Sequence, residues 1–116
     1  MVEIKVQLPD NLAQRVRTMS VWLPAVLELS LLSLRTPAAQ TASEIIDFLA
    51  AGPTPEEVLA YHVSERAQER VRRLLAINEA GLASSDEQAE LDEIERIEHI
   101  VTLLKAQAQQ QLLRDN

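Results

Sequence analysis

The last third of the chain carries the pattern that most restricts its fold. Ile94, Ile97, Val101, Leu104 and Ala108 recur at alternating steps of three and four, and Ile100 and Leu103 widen the stripe. A period near 3.6 places these side chains on one side of a helix that begins at Ser84 or Ser85 and has to bury that side. Upstream, Ser64 is placed to cap a helix running to about Ala80, with Ala67, Val71, Leu74 and Leu75 inward. Gly81 then ends it in a left-handed turn, with Leu82 folding back. Residues 64–113 therefore read as an αα-hairpin. Its first arm exposes Arg66, Arg70, Arg72 and Arg73, and its second opens with Asp86, Glu87, Glu90, Asp92, Glu93 and Glu95. Surface charge supplements that packing, at about 0–1 kcal/mol per pair.

The start of the chain has a different period. Val2, Ile4, Val6 and Leu8 alternate with Glu3, Lys5 and Gln7, the pattern of a half-buried strand. No other convincing strand is present to pair with it, so a second chain is expected to do so. Pro9 and Asp10 then open a short helix from about Asn11 to Thr18, with Leu12, Val16 and Met19 on one side. A second helix is predicted from about Leu23 to Leu34, with Pro24 in its first turn. Val26, Leu27, Leu31 and Leu34 share one face of it and Leu29 and Leu32 flank them; the rival is a strand, because Leu27, Leu29 and Leu31 alternate.

Residues 35–40 read as a linker. Thr41 to Glu44, "TASE", has capping-box spacing and introduces a helix with Ile45, Ile46, Phe48 and Leu49, ended by Gly52 and Pro53. A second box, Thr54 to Glu57, puts Pro55 at the first position of a short helix through about Tyr61. The expected fold is mainly α: one N-terminal strand pairing between chains, short helices, and the C-terminal hairpin. Two regions follow, residues 1–35 for dimerisation and residues 41–116 as a helical region.

Composition excludes several function classes. With no cysteine there is neither disulfide nor thiolate metal site, which fits a reducing cytoplasm. The start lacks the basic residues and long apolar run of a signal peptide. The most apolar stretch, Val21 to Leu34, carries Glu28 and falls short of the roughly 20 residues a membrane span needs. A net charge of −7 disfavours non-specific attraction to nucleic acid or anionic membrane. Two glycines and two histidines supply no phosphate-cradling loop and no G-x-S-x-G elbow. Glu95, Glu98 and His99 lie within one helical turn, but the sequence has no Glu-x-x-His pair of the di-metal helical sites, and they read as an exposed acidic face. His62, after Tyr61, reads as a partly buried or capping histidine. Neither an enzyme nor a cofactor or metal is expected. Trp22 reads either as a staple over the second helix or, as the only Trp, as an anchor for a partner.

Strand, short helix, turn and second helix within the first 35 residues resemble the ribbon-helix-helix family of small DNA-binding proteins, which includes many antitoxins. The resemblance implies a homodimer through the N-terminal strand, a two-stranded ribbon whose outward side chains enter the major groove of operator DNA. By position those would be Glu3, Lys5 and Gln7, with amides around Val21 to Leu23 facing phosphate. "RVRRLLAINEAGLASSDEQAELDEIERIEHIVTLLKAQA", from Arg70, together with "VEIKVQLPDNLAQRV", also resembles a group of small cyanobacterial proteins, some regarded as antitoxin-like. The expected function is an antitoxin-like dimer whose acidic helical half covers a basic toxin, with Trp22, Glu90 and Glu93 as candidate partner-binding residues. The alternative is a helical adaptor that dimerises without binding DNA.

Overall fold

The computed structural model describes residues 1–115; Asn116, the last residue of the expected helical region, lies outside them. Among the described residues all regular structure is helical: α1 (Asp10–Thr18), α2 (Leu23–Leu31), α3 (Ala38–Ala50), α4 (Pro55–Ala60), α5 (Glu65–Glu79) and α6 (Ser85–Asp115). A 3-10 turn at Ser20–Trp22 joins α1 to α2.

The mainly-α class fits, but the N-terminal strand and its ribbon do not exist in this fold. Residues 1–8 have no regular structure, and Val2, Ile4 and Val6 are 88%, 82% and 69% exposed. The cause is the hydrogen-bonding requirement of a strand. Period-two alternation gives an extended segment two distinct faces, but only a neighbouring strand satisfies its backbone N–H and C=O groups, and the described residues hold none.

The regions of α2 and α3 depart from expectation in detail. Residues 23–31 form a helix rather than the rival strand, and it stops three residues early, where Leu32 turns to extended backbone. The buried face is also different: Ala25, Val26 and Leu29 point inward, while Leu27 and Leu31 are 52% and 81% exposed. Apolar residues surround this helix, so periodicity alone could not choose its inner side. α3 starts at Ala38, inside the expected linker, so Thr41–Glu44 lies within the helix rather than capping it. The Thr36 hydroxyl instead accepts from the Ala38 amide at 3.2 Å. The second box forms as read: Thr54 Oγ1 accepts from the Glu57 amide and Glu57 Oε1 from the Thr54 amide, each at 3.2 Å.

The hairpin is present. Ser64 caps α5 by accepting from the Ala67 amide, and Ser84, with Glu87, forms a reciprocal box at the start of α6. That contact pulls the Glu87 carboxyl below its ordinary pKa, chiefly through the Ser84 amide. Gly81, at φ 73°, closes α5, and the Leu82 amide donates back to the Ile77 carbonyl. The Leu82 side chain remains in solvent, as does half of Leu75, so neither joins the core.

α6 is 31 residues long, roughly 46 Å at 1.5 Å per residue, and sets the 48 Å long dimension of the molecule. The other helices pack around it. α2 lies antiparallel to it, since the Val21 carbonyl accepts from Gln107 while Arg35 and Thr36 meet Glu93. One core runs through all of these contacts, from Trp22 and Leu29 through Ile45, Leu49 and Val58 to Leu74, Ile97 and Leu104.

Candidate interaction surface

Two surface features suit the docking of a partner: the apolar arm of residues 1–8 and a groove along α6. The arm leads into α1, which has no buried residue of its own. α1 is held at its far end. Gly52, at φ 70°, lets the end of α3 approach the Thr18 carbonyl so closely that a Cβ there would sit 2.4 Å from it. Glu3, Lys5 and Gln7 are exposed, as are the apolar residues between them, so the arm presents both faces to water.

The groove lies between α6 on one side and α3, α5 and the α4–α5 loop on the other, with a volume of about 610 Å³. Ile45, Ile94 and Ile97 form its buried floor, and Val63, Val71 and Val101 are half-buried along it. Ala67 is the small residue facing the broad α6 stripe here, which leaves the space open. Polar groups form both rims. Glu98, Thr102 and Lys105 stand on α6; Thr41, His62 and Gln68 stand opposite. Lys105 Nζ donates to the Tyr61 carbonyl at 2.9 Å, which ties the α4–α5 loop to α6 and leaves two of its three N–H groups unused. Tyr61 stacks on Phe48 with centroids 4.2 Å apart. Burial, and secondarily Glu44, raise the pKa of its hydroxyl and keep it neutral.

The candidate partner-binding residues are engaged inside the chain. Trp22 is 2% exposed, and its indole N–H donates to the Pro53 carbonyl at 2.8 Å. Glu90, 3% exposed, accepts two hydrogen bonds from Arg70, at 2.8 and 2.9 Å. Glu93, 5% exposed, accepts from the Arg35 and Thr36 amides and the Thr36 hydroxyl. The polar group of each of the three is bonded within the chain. The sequence marks Glu90 and Glu93 as members of an acidic face, but they sit on the same side of α6 as Ile94 and Ile97, at three- and four-residue steps, and that spacing was the available sign that they point inward.

Glu95, Glu98 and His99 are exposed on α6, and among the described residues no three His, Asp or Glu side chains are grouped to hold a metal ion. His62 is exposed at the groove rim rather than capping or partly buried. Sequence reasoning did not find the groove as a site. Its only signal was size, since Ala67 faces the widest part of the α6 stripe. No described helix is long and apolar enough to cross a membrane. The chain matches no family model, no curated protein and no solved structure.

Proposed function

We propose that this chain is a non-catalytic helical protein-interaction module, and that residues 1–8 are its docking element. One observation carries the reading: Val2, Ile4 and Val6, spaced for one side of an extended peptide, stand at 88%, 82% and 69% exposure beside a body that buries a continuous core. Burying a Val or Ile side chain gains about 1.5–3 kcal/mol. Three of them in register form an apolar edge that a groove on another protein would cover, with main-chain hydrogen bonds adding to affinity. A protein partner is favoured over DNA because Lys5 is the arm's one basic side chain, and without a paired ribbon Glu3 and Gln7 have no scaffold to hold them to base edges.

The test is a photo-crosslinking amino acid placed at Ile4 in the chain expressed in its own cells. Adducts with another polypeptide, lost when Val2 and Val6 become Asp, support the reading. Absence of adducts overturns it.

A second reading draws on Asp92, Glu95 and Glu98, which are all exposed along α6. With the −7 charge they suit a basic partner such as a toxin, the antitoxin-like role. Salt separates the two. A complex held by this acidic face weakens as ionic strength rises, whereas one held by the apolar arm does not.

A further inference from the structure

Resting on the reading of residues 1–8 as a docking element, we infer that its partner is a second copy of this chain, with the arm of each protomer lying in the α6 groove of the other. Length and chemistry agree. From Ile94 to Lys105 the groove follows α6 for roughly 16 Å, at 1.5 Å per residue. Val2 to Val6, four extended steps at about 3.3 Å each, cover about 13 Å of it.

An alternating extended peptide has three needs, and the groove meets each. Val2, Ile4 and Val6 project to one side, where the half-buried Val63, Val71 and Val101 offer apolar surface. Its backbone N–H and C=O groups project sideways, where the two rims offer polar side chains, including the unused N–H groups of Lys105. Its polar side chains project outward past those rims. There the only two charged side chains of the arm, Glu3 and Lys5, match the two on the α6 rim, Lys105 and Glu98. Pairing Glu3 with Lys105 and Lys5 with Glu98 sets the direction: the arm runs antiparallel to α6. The exchange is reciprocal and closes on a two-fold axis, so it stops at the dimer.

The absence of cysteine makes the test direct, because thiols can be placed singly. Chains carrying Lys5→Cys and chains carrying Glu98→Cys are mixed and treated with a short bismaleimide. The expected product is the covalent heterodimer, with Glu3→Cys in place of Lys5→Cys giving much less. The double variant Lys5→Cys/Glu98→Cys is treated in parallel, and a linked monomer there, showing the arm in its own groove, overturns the proposal. Light scattering supplies the second measurement. Wild type should be a dimer at tens of micromolar, and Val2→Asp/Ile4→Asp/Val6→Asp should be a monomer with unchanged helical circular dichroism. A monomeric wild type that still gives Ile4 adducts in cells overturns the second-copy partner and leaves the docking element standing. A monomeric wild type with no adducts overturns both.

Discussion

The carboxylate of Glu93 holds Thr36 by two hydrogen bonds, 2.7 Å from the hydroxyl and 3.1 Å from the backbone amide. The Arg35 amide, at 3.0 Å, completes the set. One side chain in the N-terminal third of α6 thereby fixes the connection between α2 and α3, in effect capping α3 from 57 residues away. A buried carboxylate would ordinarily rise in pKa by desolvation. Here the bonds from Arg35 and Thr36, with help from Arg96, outweigh that and hold Glu93 below the usual glutamate range.

The sign of the pH effect follows. A carboxyl depressed in the folded state contributes stability that is full above its unfolded value, near pH 4.3, and is lost as pH falls through the lower folded value. Glu93→Gln should cost about 1–3 kcal/mol at pH 7, because two amides and a hydroxyl lose a charged acceptor. In urea titrations the gap between wild type and variant should narrow as pH falls below 4. A gap independent of pH would show that the charge of Glu93 contributes nothing.

Arg70 and Glu90 form the one interhelical ion pair of the hairpin among the described residues. The Arg70 guanidinium is raised above its ordinary pKa, chiefly by its hydrogen bond to Glu90. Breaking a fully buried pair costs about 3–5 kcal/mol, and with 40% of the Arg70 side chain exposed, water softens this to roughly 2 kcal/mol for Arg70→Met. Glu90→Gln in the same chain should restore most of that loss, since the orphaned charge is then gone. A double-mutant cycle in denaturant measures the coupling, and additive losses would contradict the pairing.

The two glycines separate conformational strain from crowding. Both have positive φ, 70° at Gly52 and 73° at Gly81, a backbone that costs an L-residue about 1–2 kcal/mol. A Cβ at Gly81 meets nothing within 4 Å, so Gly81→Ala should cost only that. At Gly52 it would lie 2.4 Å from the Thr18 carbonyl, and α1 must shift to admit it. Gly52→Ala should therefore lose more stability than Gly81→Ala and should speed amide exchange in residues 10–18. Equal costs at the two sites would mean that α1 is too loosely held to resist.

Elements whose signals are local were legible in the sequence. Thr54–Glu57, Ser64 and Gly81 act through contacts a few residues away, and α6 shows its buried stripe because its polar side is well marked. α2 carries apolar residues well beyond one face, with Glu28 and Ser30 as its only polar side chains, so its inner face depends on what α3 and α6 offer. The Thr41–Glu44 box yielded to an earlier start at Ala38 because Glu93, distant in sequence, organises the residues before it. Residues 1–8 carry a true alternation, but a strand is a property of two segments and the sequence of one chain shows only one. The groove was illegible for the same reason: it exists between Ala67, Ile45 and Ile97, three residues that no local pattern connects.

The two readings of Trp22 differ in an optical signal. As an anchor for a partner it would be exposed in the monomer and quench readily; the structure instead puts it at 2% exposure, with its indole N–H on the Pro53 carbonyl at 2.8 Å. Fluorescence of this single Trp should be blue-shifted and poorly quenched by acrylamide, at protein concentrations low enough to dissociate any dimer. Trp22→Phe removes the donor, leaves the Pro53 carbonyl without its partner and opens a small void, so it should cost about 2–3 kcal/mol. The loss should show as a lower urea midpoint with unchanged slope, since the same surface is exposed on unfolding. Red-shifted, freely quenched emission in folded wild type would return Trp22 to the surface and unseat the packing of α2 on the α3–α4 loop.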